Sequence, residues 1–302
     1  MANTIMAWLD GKFVDWMETR ISPLSQSFSR ASAVFDVMAV VPTKNGPALI
    51  CLQEHVERFF SSAERTYMNI PFTRGEIKDA IIATARTNSV RNGIAKFYAY
   101  YTDIDLGPRP PENVSVAIFC LDYSSLGLNP DGFSTPLSVG ISQYRKLHPQ
   151  TAAVHAKVVG NYVNGFLART EVRKKGFDEA LMLDTNGFVA EGPTSNIFLA
   201  KGNCVETPTK ENVLPGITRR VVIDVLKDMG HTVKETHILP QDLCEYDEAF
   251  FSGTLRHVQP IARIENYELI CPGPITQALI LRLREVYSGT VEQYKGLLTH
   301  IE

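Results

Sequence analysis

A lysine in an apolar stretch is the first residue whose type and setting suggest chemistry. Lys157 lies in a segment rich in alanine and valine, residues 152–159 (AAVHAKVV). An apolar setting lowers the pKa of an ammonium group, and a desolvated lysine is a candidate nucleophile for Schiff-base formation. Taken alone, Lys157 is better explained as a side chain that packs its stem on apolar surface and keeps its ammonium in water. Motifs further along the chain decide between these two interpretations.

A second candidate is a site for an anion at a predicted helix start. Residues 214–219 (LPGITR) place a Pro-Gly turn directly before an amphipathic segment. The backbone N–H groups of Ile217 and Thr218, together with the Thr218 hydroxyl, suit a phosphate group. Ordinary N-capping by Thr218 is the simpler alternative. Thr254 follows a predicted strand in the run SGT, and it either adds a hydroxyl to the same anion or belongs to a plain turn.

Two charged residues could complete such a site. Arg58 lies on a predicted helix, and its guanidinium could hold the same anion as a forked donor, although by itself it would be assigned to the surface. Glu191 ends a short apolar run, and a buried carboxylate needs a cationic or hydrogen-bonding partner. A protonated ring nitrogen would serve as that partner, whereas a solvated glutamate in a turn is the alternative.

The composition narrows the classes of protein to consider. Of the 302 residues, 44% are hydrophobic and 21% are charged, as expected for a soluble globular chain of one or two domains. The formal charge of −3 gives no basis for binding nucleic acid or an anionic membrane. The motifs typical of dinucleotide, P-loop, zinc-protease and α/β-hydrolase sites are absent. The seven histidines and five cysteines do not fall at metal-ligand spacings, so no metal site is expected.

The cysteines also bear on the compartment. They are scattered and contain no CxxC pair, which is typical of reduced thiols. Neither a signal peptide nor an apolar run of about 18 residues is recognisable. We therefore expect a cytoplasmic protein.

Hydrophobic periodicity predicts the elements that must position these residues. In the first half we predict a hairpin at 7–14, strands at 32–41, 48–52, 94–102 and 114–121, and helices at 54–68 and 74–87. In the second half we predict strands at 137–144, 180–184, 189–191, 196–200, 204–207, 232–235 and 248–252, and helices at 162–175, 217–229 and 274–287. The turn-rich segment 126–136 between them indicates a domain edge.

Four motifs in this order resemble the fold-type IV, or class IV, aminotransferases that use pyridoxal 5'-phosphate (PLP). The similarity extends from Ser29 to Pro274 and is closest to the branched-chain amino acid aminotransferases. The matching runs are Lys157 with Gly160-Asn161-Tyr162, Glu191-Gly192 with Asn196-Ile197-Phe198, residues 214–219, and Ser252-Gly253-Thr254.

The resemblance implies a role for each of these residues. Lys157 would bind PLP as a Schiff base and move the proton at the substrate Cα. Tyr162 would bind the phenolic oxygen of the cofactor, and Glu191 would pair with its pyridine nitrogen. The remaining cofactor-binding residues would be Arg58, Ile217, Thr218 and Thr254 at the phosphate, Leu214 on the ring, and Asn196.

The implied reaction is a ping-pong transfer of an amino group through pyridoxamine phosphate. The donor would be an amino acid, branched-chain or otherwise hydrophobic, and the acceptor a 2-oxo acid such as 2-oxoglutarate. Three alternatives remain open: a D-amino-acid or (R)-selective primary amine transaminase, an aminodeoxychorismate lyase, and a non-catalytic PLP-binding protein.

The substrate side departs from the branched-chain pattern. Arg30-Ala31 replaces the usual Tyr-Gly pair, and Asp36-Val37 replaces a Glu-Gly pair, while Val37 and the loop with Arg109 are more similar to the D-amino-acid aminotransferases. The candidate cations for the substrate carboxylate are Arg30, Lys96, Arg109 and Arg256. The candidate pocket residues are Phe35, Tyr98 and Leu255.

By resemblance, the fold is expected to be α/β (α+β) with two domains. A small N-terminal α/β domain would cover 1–141, an interdomain loop 142–150, and a larger cofactor-binding domain 151–302, with a β-barrel-like sheet and flanking helices. PLP would lie between the domains. The family also implies a homodimer or a higher homo-oligomer, with active sites at the dimer interface and the loop of Arg109 supplied by the partner subunit.

Overall fold

The chain folds into two compact units, each made of more than one segment. A computed structural model of the protein describes residues 4–104, 107, 111–127 and 135–301. Unit 1 comprises Met1–Asn129, Ala156–Gly160 and Val286–Glu302, and unit 2 comprises Pro130–His155 and Asn161–Glu285. The short segment that carries Lys157 therefore belongs to unit 1, although the chain on both sides of it belongs to unit 2.

Unit 1 is built on a seven-stranded antiparallel sheet. Its strands are β1 (Met6–Leu9), β2 (Lys12–Asp15), β3 (Val34–Thr43), β4 (Gly46–Ile50), β5 (Gly93–Tyr101), β6 (Val114–Asp122) and β16 (Leu298–His300). Its helices are α1 (Gln26–Arg30), α2 (Leu52–Arg65) and α3 (Arg74–Thr87). The strand order is β16-β4-β3-β5-β6-β1-β2, so the last strand of the chain pairs with the fourth.

Local sequence explains the first hairpin and helix α2. Asp10 and Gly11, between β1 and β2, have φ angles of 46° and 91°, the left-handed conformation that both central residues of a tight hairpin turn require. On α2, Val56, Phe59 and Ala63 recur at spacings of three and four residues and are all buried. The helix therefore presents one apolar stripe to the sheet.

The core of unit 1 lies between the sheet and helices α2 and α3. Phe97 of β5 is 0% exposed and packs edge to face on Phe59 of α2, with ring centroids 4.9 Å apart. Ile77 and Ile81 of α3 belong to the same buried cluster. Burying each such side chain stabilises the unit by about 1.5–3 kcal/mol. Because side chains alternate along a strand, the residues next to Phe97 on β5 point to the opposite face of the sheet.

Unit 2 contains a nine-stranded mixed sheet and three helices. Its strands are β7 (Leu137–Ile141), β8 (Glu179–Leu183), β9 (Val189–Glu191), β10 (Asn196–Lys201), β11 (Cys204–Pro208), β12 (Thr232–Thr236), β13 (Glu248–Gly253), β14 (His257–Ile264) and β15 (Tyr267–Glu268). Its helices are α4 (Val163–Lys174), α5 (Ile217–Asp228) and α6 (Pro274–Tyr287), of which only the last two residues of α6 belong to unit 1. Short 3-10 helices in the described chain cover Trp16–Glu18, Ser124–Leu126, Val159–Tyr162, Pro240–Glu245 and Glu292–Leu297.

Six of these strands close into a ring. They pair in the order β10-β13-β14-β7-β8-β9, and β9 pairs back with β10 through Glu191 and Asn196. The ring encloses an apolar cluster that includes Leu181, Ile197 and Phe251. The closed ring is the β-barrel-like sheet that the family resemblance implied, and the α/β fold class is confirmed.

Most of the predicted elements are present, with small shifts at their ends. Helices α3 and α6 begin and end at the predicted residues. The sequence analysis missed α1, β14, β15 and β16, which are short or lack a clear alternating pattern. The contiguous domain boundaries at 141 and 150 stay a prediction, because a compact unit need not be an independently folding domain.

None of the helices in the described part of the chain is both long and apolar enough to cross a membrane.

Candidate active site

The segment that carries Lys157 runs beside the start of β3 in unit 1. The backbone N–H of Phe35 donates to the Lys157 carbonyl at 3.0 Å. The Lys157 N–H donates to Ser62 Oγ at 2.9 Å, and the same hydroxyl donates to the Arg58 carbonyl at 2.8 Å. Lys157 is only 8% exposed. The backbone of this lysine is thus held by β3 on one side and by α2 on the other.

A buried carboxylate on β3 holds Arg58. Asp36 is 0% exposed and accepts hydrogen bonds from Nε and Nη2 of Arg58, both at 2.8 Å. It also accepts a hydrogen bond from His55 Nδ1 at 2.7 Å. Burial alone would raise the pKa of Asp36, but the charges and hydrogen bonds of Arg58 and His55 outweigh it and hold the pKa well below its ordinary value. The carboxylate is therefore ionised at neutral pH and orients both side chains.

The Lys157 side chain belongs to the same electrostatic environment. Burial lowers the pKa of His55, Asp36 opposes that shift, and the positive charges of Arg58 and Lys157 add to it. Arg58 and Lys157, two of the predicted cofactor residues, therefore both lower the pKa of the same buried imidazole, His55.

An aromatic pair with two ammonium groups lies on the opposite face of the sheet from Asp36. Phe35 and Tyr98 are paired across β3 and β5, and their rings are stacked with centroids 5.8 Å apart. The Lys157 Nζ lies 4.8 Å from the Phe35 centroid. The Lys96 Nζ lies 5.4 Å from the same centroid and 5.2 Å from that of Tyr98. The structure thus brings together three of the predicted residues of the substrate side with the predicted nucleophile.

A cavity of about 260 Å³ opens on the same face of β5. Tyr98 and Tyr100 of β5 line it together with Phe119 of β6 and Phe28 of α1. Burial raises the pKa of Tyr100 to about 12, so its phenol is neutral at physiological pH. The cavity suits an apolar group of modest size.

In unit 2, three donors converge on the Glu191 carboxylate at the closure of the strand ring. The Lys146 ammonium lies 2.7 Å from Oε1, with side chains 17% and 6% exposed for Lys146 and Glu191. The Asn196 amide donates to Oε2 at 2.9 Å, and the Leu214 N–H lies 3.4 Å from Oε1. Asn196 also donates to the Leu214 carbonyl at 3.1 Å. Three of the predicted cofactor residues, Glu191, Asn196 and Leu214, thus form one hydrogen-bonded group.

The start of α5 packs directly on this group. Gly216 is the N-cap of α5 and, being glycine, has no side chain to cap this helix start. A Cβ atom at Gly216 would lie 2.1 Å from Asn196 Oδ1, so only glycine permits the approach. Thr218, in the first turn, is buried. On the neighbouring strand β13, Ser252 pairs with Asn196, and its buried hydroxyl has no hydrogen-bond partner among the described residues.

Four other predicted site residues are partly buried or exposed. Tyr162 immediately precedes α4 and is partly buried, as is Thr254 in the turn after β13. Leu255 is 40% exposed. Arg256 is exposed and donates to Gln259.

Two further candidate cations belong to unit 1. Arg30, also exposed, donates to the Gly107 carbonyl. Arg109 lies outside the described residues.

Sequence reasoning missed three residues that hold the predicted ones in place. Asp36 was noted only as a departure from the family pattern, His55 was not noted, and Lys146 was placed in a polar loop. For His55 a signal was present, since His55 and Arg58 are three residues apart on one helix face. For Lys146 no local signal exists, because its partner lies on a distant strand.

The chain belongs to the class IV aminotransferases. The family model described as amino-transferase class IV matches residues 33–264. The protein is accordingly an aminotransferase that depends on PLP.

Its relatives narrow the comparison further. The chain is 30% identical over 290 residues to the branched-chain-amino-acid aminotransferase of Pseudomonas aeruginosa. The aligned region covers 95% of this chain and 94% of the relative. The structure is similar to that of the branched-chain aminotransferase of Thermoproteus uzoniensis with norvaline, with a TM-score of 0.93, 30% identity, and coverage of 99% and 100% of the two chains. It is equally similar to the T.th. branched-chain amino acid aminotransferase with pyridoxamine 5'-phosphate, with a TM-score of 0.93, 31% identity and full coverage of both chains.

These comparisons favour amino acid transamination over the alternatives considered from the sequence. The D-amino-acid or amine transaminase, the lyase and the non-catalytic PLP-binding protein all receive less support, because the named relatives are branched-chain aminotransferases.

The residues present fit PLP. In unit 2, the unpartnered Ser252 hydroxyl and the backbone N–H groups at the start of α5 are donors suited to a phosphate. In unit 1, the Arg58 guanidinium is a cation of the kind that binds phosphate. Glu191 provides a buried carboxylate for a protonated ring nitrogen. Lys157 provides a buried amine.

Proposed function

We propose that this protein transfers the amino group of branched-chain and other hydrophobic L-amino acids to a 2-oxo acid such as 2-oxoglutarate. The observation that carries the proposal is the 30% identity to a branched-chain aminotransferase over 95% of the chain. The aromatic and aliphatic lining of the cavity beside Tyr98 supports an apolar substrate side chain.

We assign the cofactor-binding roles residue by residue. Lys157 binds the aldehyde of PLP, Tyr162 its phenolic oxygen, and Glu191 its ring nitrogen. The phosphate is held by Arg58, by the N-terminus of α5 at Ile217 and Thr218, and by Thr254. Leu214 packs on the ring, and Asn196 links Glu191 to the Leu214 backbone.

The chemistry that the residues perform is binding, orientation and proton transfer. When bound, PLP stabilises the carbanion at the substrate Cα by withdrawing electrons into its ring. The Lys146 ammonium and the Asn196 amide hold Glu191 at a fixed position, where its negative charge favours a protonated ring nitrogen. With the cofactor bound, the Lys157 amine would take the proton from the substrate Cα and return a proton to the reacting carbon of the cofactor.

The proposal is tested by titrating the holoenzyme with single amino donors and following the absorbance of the cofactor. We expect L-leucine and L-valine to convert the cofactor to the pyridoxamine form, and D-alanine and (R)-1-phenylethylamine to react at least about tenfold more slowly. Replacing the base, Lys157→Met, should slow conversion by at least about 100-fold, whereas Lys78→Met, on the exposed surface of α3, should not. Conversion by D-alanine and the amine but not by L-leucine would refute the substrate assignment.

We also propose that the protein is a homodimer or a higher homo-oligomer and acts in the cytoplasm. The described part of unit 1 exposes six large apolar side chains within a short stretch: Phe13, Trp16, Met17, Ile21, Leu24 and Phe28. Such a stretch is typical of an interaction surface and supports a second copy as the partner. The five cysteines are assigned as thiols and not as disulfides, which supports a reducing compartment.

A further inference from the structure

Ser62 joins the segment that carries Lys157 to the helix that carries Arg58. Ser62 lies on α2 and is 0% exposed. Its hydroxyl oxygen accepts a hydrogen bond from the Lys157 N–H at 2.9 Å, and the same hydroxyl donates to the Arg58 carbonyl at 2.8 Å. A hydroxyl has one proton to donate and can accept as well, so both bonds form at once. The residues that we assign to the aldehyde and to the phosphate of the cofactor therefore share one hydroxyl group.

The hydrogen bond from Lys157 sets Ser62 apart from an ordinary buried hydroxyl in a helix. Serine and threonine in helices can donate to the carbonyl four residues earlier, and that bond by itself needs no functional explanation. Thr84 of α3 shows the ordinary case, since it is 0% exposed and donates to the Ala80 carbonyl at 2.6 Å. The Ser62 hydroxyl makes the same kind of bond and, in addition, binds a residue 95 positions further along the chain.

The other backbone hydrogen bonds of the Lys157 segment are made with β3 and the residues before it. The Phe35 N–H donates to the Lys157 carbonyl at 3.0 Å, and the Val159 N–H donates to the Ala33 carbonyl at 2.9 Å. These two bonds set the register of the segment beside β3, but they do not reach α2. The Ser62 hydroxyl supplies a link to the helix. Removing it takes the acceptor from a buried N–H, which is unfavourable enough to move the segment.

We propose that Ser62 is a positioning residue that fixes the spacing between the Lys157 amine and the Arg58 guanidinium, so that one rigid cofactor molecule can engage both. This assignment rests on the roles proposed above for Lys157 and Arg58. PLP carries its aldehyde and its phosphate on one ring, and a site in which the spacing is already set loses less freedom on binding. Pyridoxal has the aldehyde but no phosphate, so its binding does not depend on this spacing.

The test compares PLP with pyridoxal on the full-length apoenzyme by equilibrium dialysis. We expect Ser62→Ala to weaken PLP binding by about 10-fold and pyridoxal binding by less than about twofold, because only the coupling between two contacts is lost. Ser62→Cys fills the same position with a weak hydrogen-bonding group and should have the same effect. Ser62→Thr keeps the hydroxyl and should hold PLP affinity within about threefold of the wild type. Thr84→Val is the matched control, since it removes a buried hydroxyl of α3 that donates in the same way, and it should change neither affinity.

Hydrogen–deuterium exchange of the apoenzyme gives a readout that does not involve the cofactor. In Ser62→Ala, the Lys157 amide should exchange at least about fivefold faster, while the amides of α2 keep their wild-type rates. Unchanged exchange at Lys157, or unchanged PLP affinity, would overturn the proposal. Equal losses for PLP and pyridoxal would also overturn it, since they would mean that Ser62 only supports the packing of α2. Failure of the proposed function would be recognised separately, because the wild type would then not convert L-leucine, or Lys157→Met would bind both vitamers as tightly as the wild type.

Discussion

At the scale of single residues, the Asp36 carboxylate decides where the Arg58 guanidinium points. Two nitrogens of Arg58 donate to Asp36, and His55 donates to the same carboxylate from the same helix. Long arginine side chains lose considerable rotamer freedom on binding a ligand, and a partner that fixes the side chain beforehand removes that cost. Asp36 is therefore a positioning residue for the phosphate contact that we assign to Arg58.

Replacing Asp36 by asparagine should separate positioning from folding. We expect Asp36→Asn to weaken the binding of PLP by about 10-fold or more, and to leave the binding of pyridoxal, which has no phosphate, within about twofold. Because the variant breaks a buried ion pair, the free energy of unfolding should also fall by about 3 kcal/mol. Equilibrium dialysis of the apoenzyme against each vitamer, with chemical denaturation in parallel, measures both effects.

Glu57 offers a matched control on the same helix. It pairs with Arg74 at 2.8 Å, but both side chains are more than 40% exposed. Glu57→Gln should therefore change stability by less than about 1 kcal/mol and change neither vitamer affinity. If PLP and pyridoxal lost equal affinity in Asp36→Asn, the positioning role would be wrong.

At the scale of elements, helix α5 and strand β10 meet at a residue without a side chain. The absence of a Cβ at Gly216 brings the start of α5 against Asn196, and Asn196 in turn binds the Glu191 carboxylate. The element that we assign to the phosphate and the residue that we assign to the ring nitrogen are thus held at a constant separation. PLP is a rigid molecule, so such a fixed separation favours its binding.

A methyl group at Gly216 should disturb this arrangement. Gly216→Ala places Cβ 2.1 Å from Asn196 Oδ1, so the helix start or the amide must move. We expect PLP affinity to fall by about 10-fold or more, because donors displaced by about 1 Å no longer meet the phosphate. The measurement is a PLP titration of the apoenzyme followed by absorbance.

Gly75 provides the comparison, since it also lies in the first turn of a helix. Its nearest neighbour to an added Cβ is Thr73 Oγ1 at 3.8 Å, an ordinary contact. Gly75→Ala should stabilise the protein by about 0.4–1 kcal/mol and leave PLP affinity unchanged. A Gly216→Ala variant with wild-type affinity would show that α5 does not bind the phosphate.

At the scale of the whole molecule, the exposed apolar stretch from Phe13 to Phe28 predicts self-association. We expect sedimentation equilibrium to give at least twice the mass of one chain at micromolar concentration. The double variant Met17→Ser, Leu24→Ser removes two of the most exposed apolar side chains of this stretch, 58% and 57% exposed, and should raise the dimer dissociation constant by about 10-fold or more.

Leu281 is a control for the loss of surface apolarity. It is 54% exposed on α6, in unit 2, and Leu281→Ser should leave the sedimenting mass unchanged. A wild-type protein that sediments as a single chain would contradict the dimer and, with it, the expectation that a partner subunit supplies the loop of Arg109.

The sequence by itself determined the parts of this protein that depend on near neighbours. Helical periodicity placed α3 and α6 at their observed ends, and the hairpin predicted at 7–14 is present with its turn at Asp10 and Gly11. Four short motifs in order were sufficient to predict the family. Each of these signals is carried by residues within a few positions of one another.

Only the tertiary structure decided which distant residues meet. Asp36 and Arg58 are 22 positions apart, and Lys146 and Glu191 come together from a loop and a ring strand. Likewise, the pairing of β16 with β4 and the pairing of β14 with β7 join segments that are far apart in the sequence. The physical reason is that a charge or a strand edge has many possible partners along the chain, and packing of the two cores selects one of them.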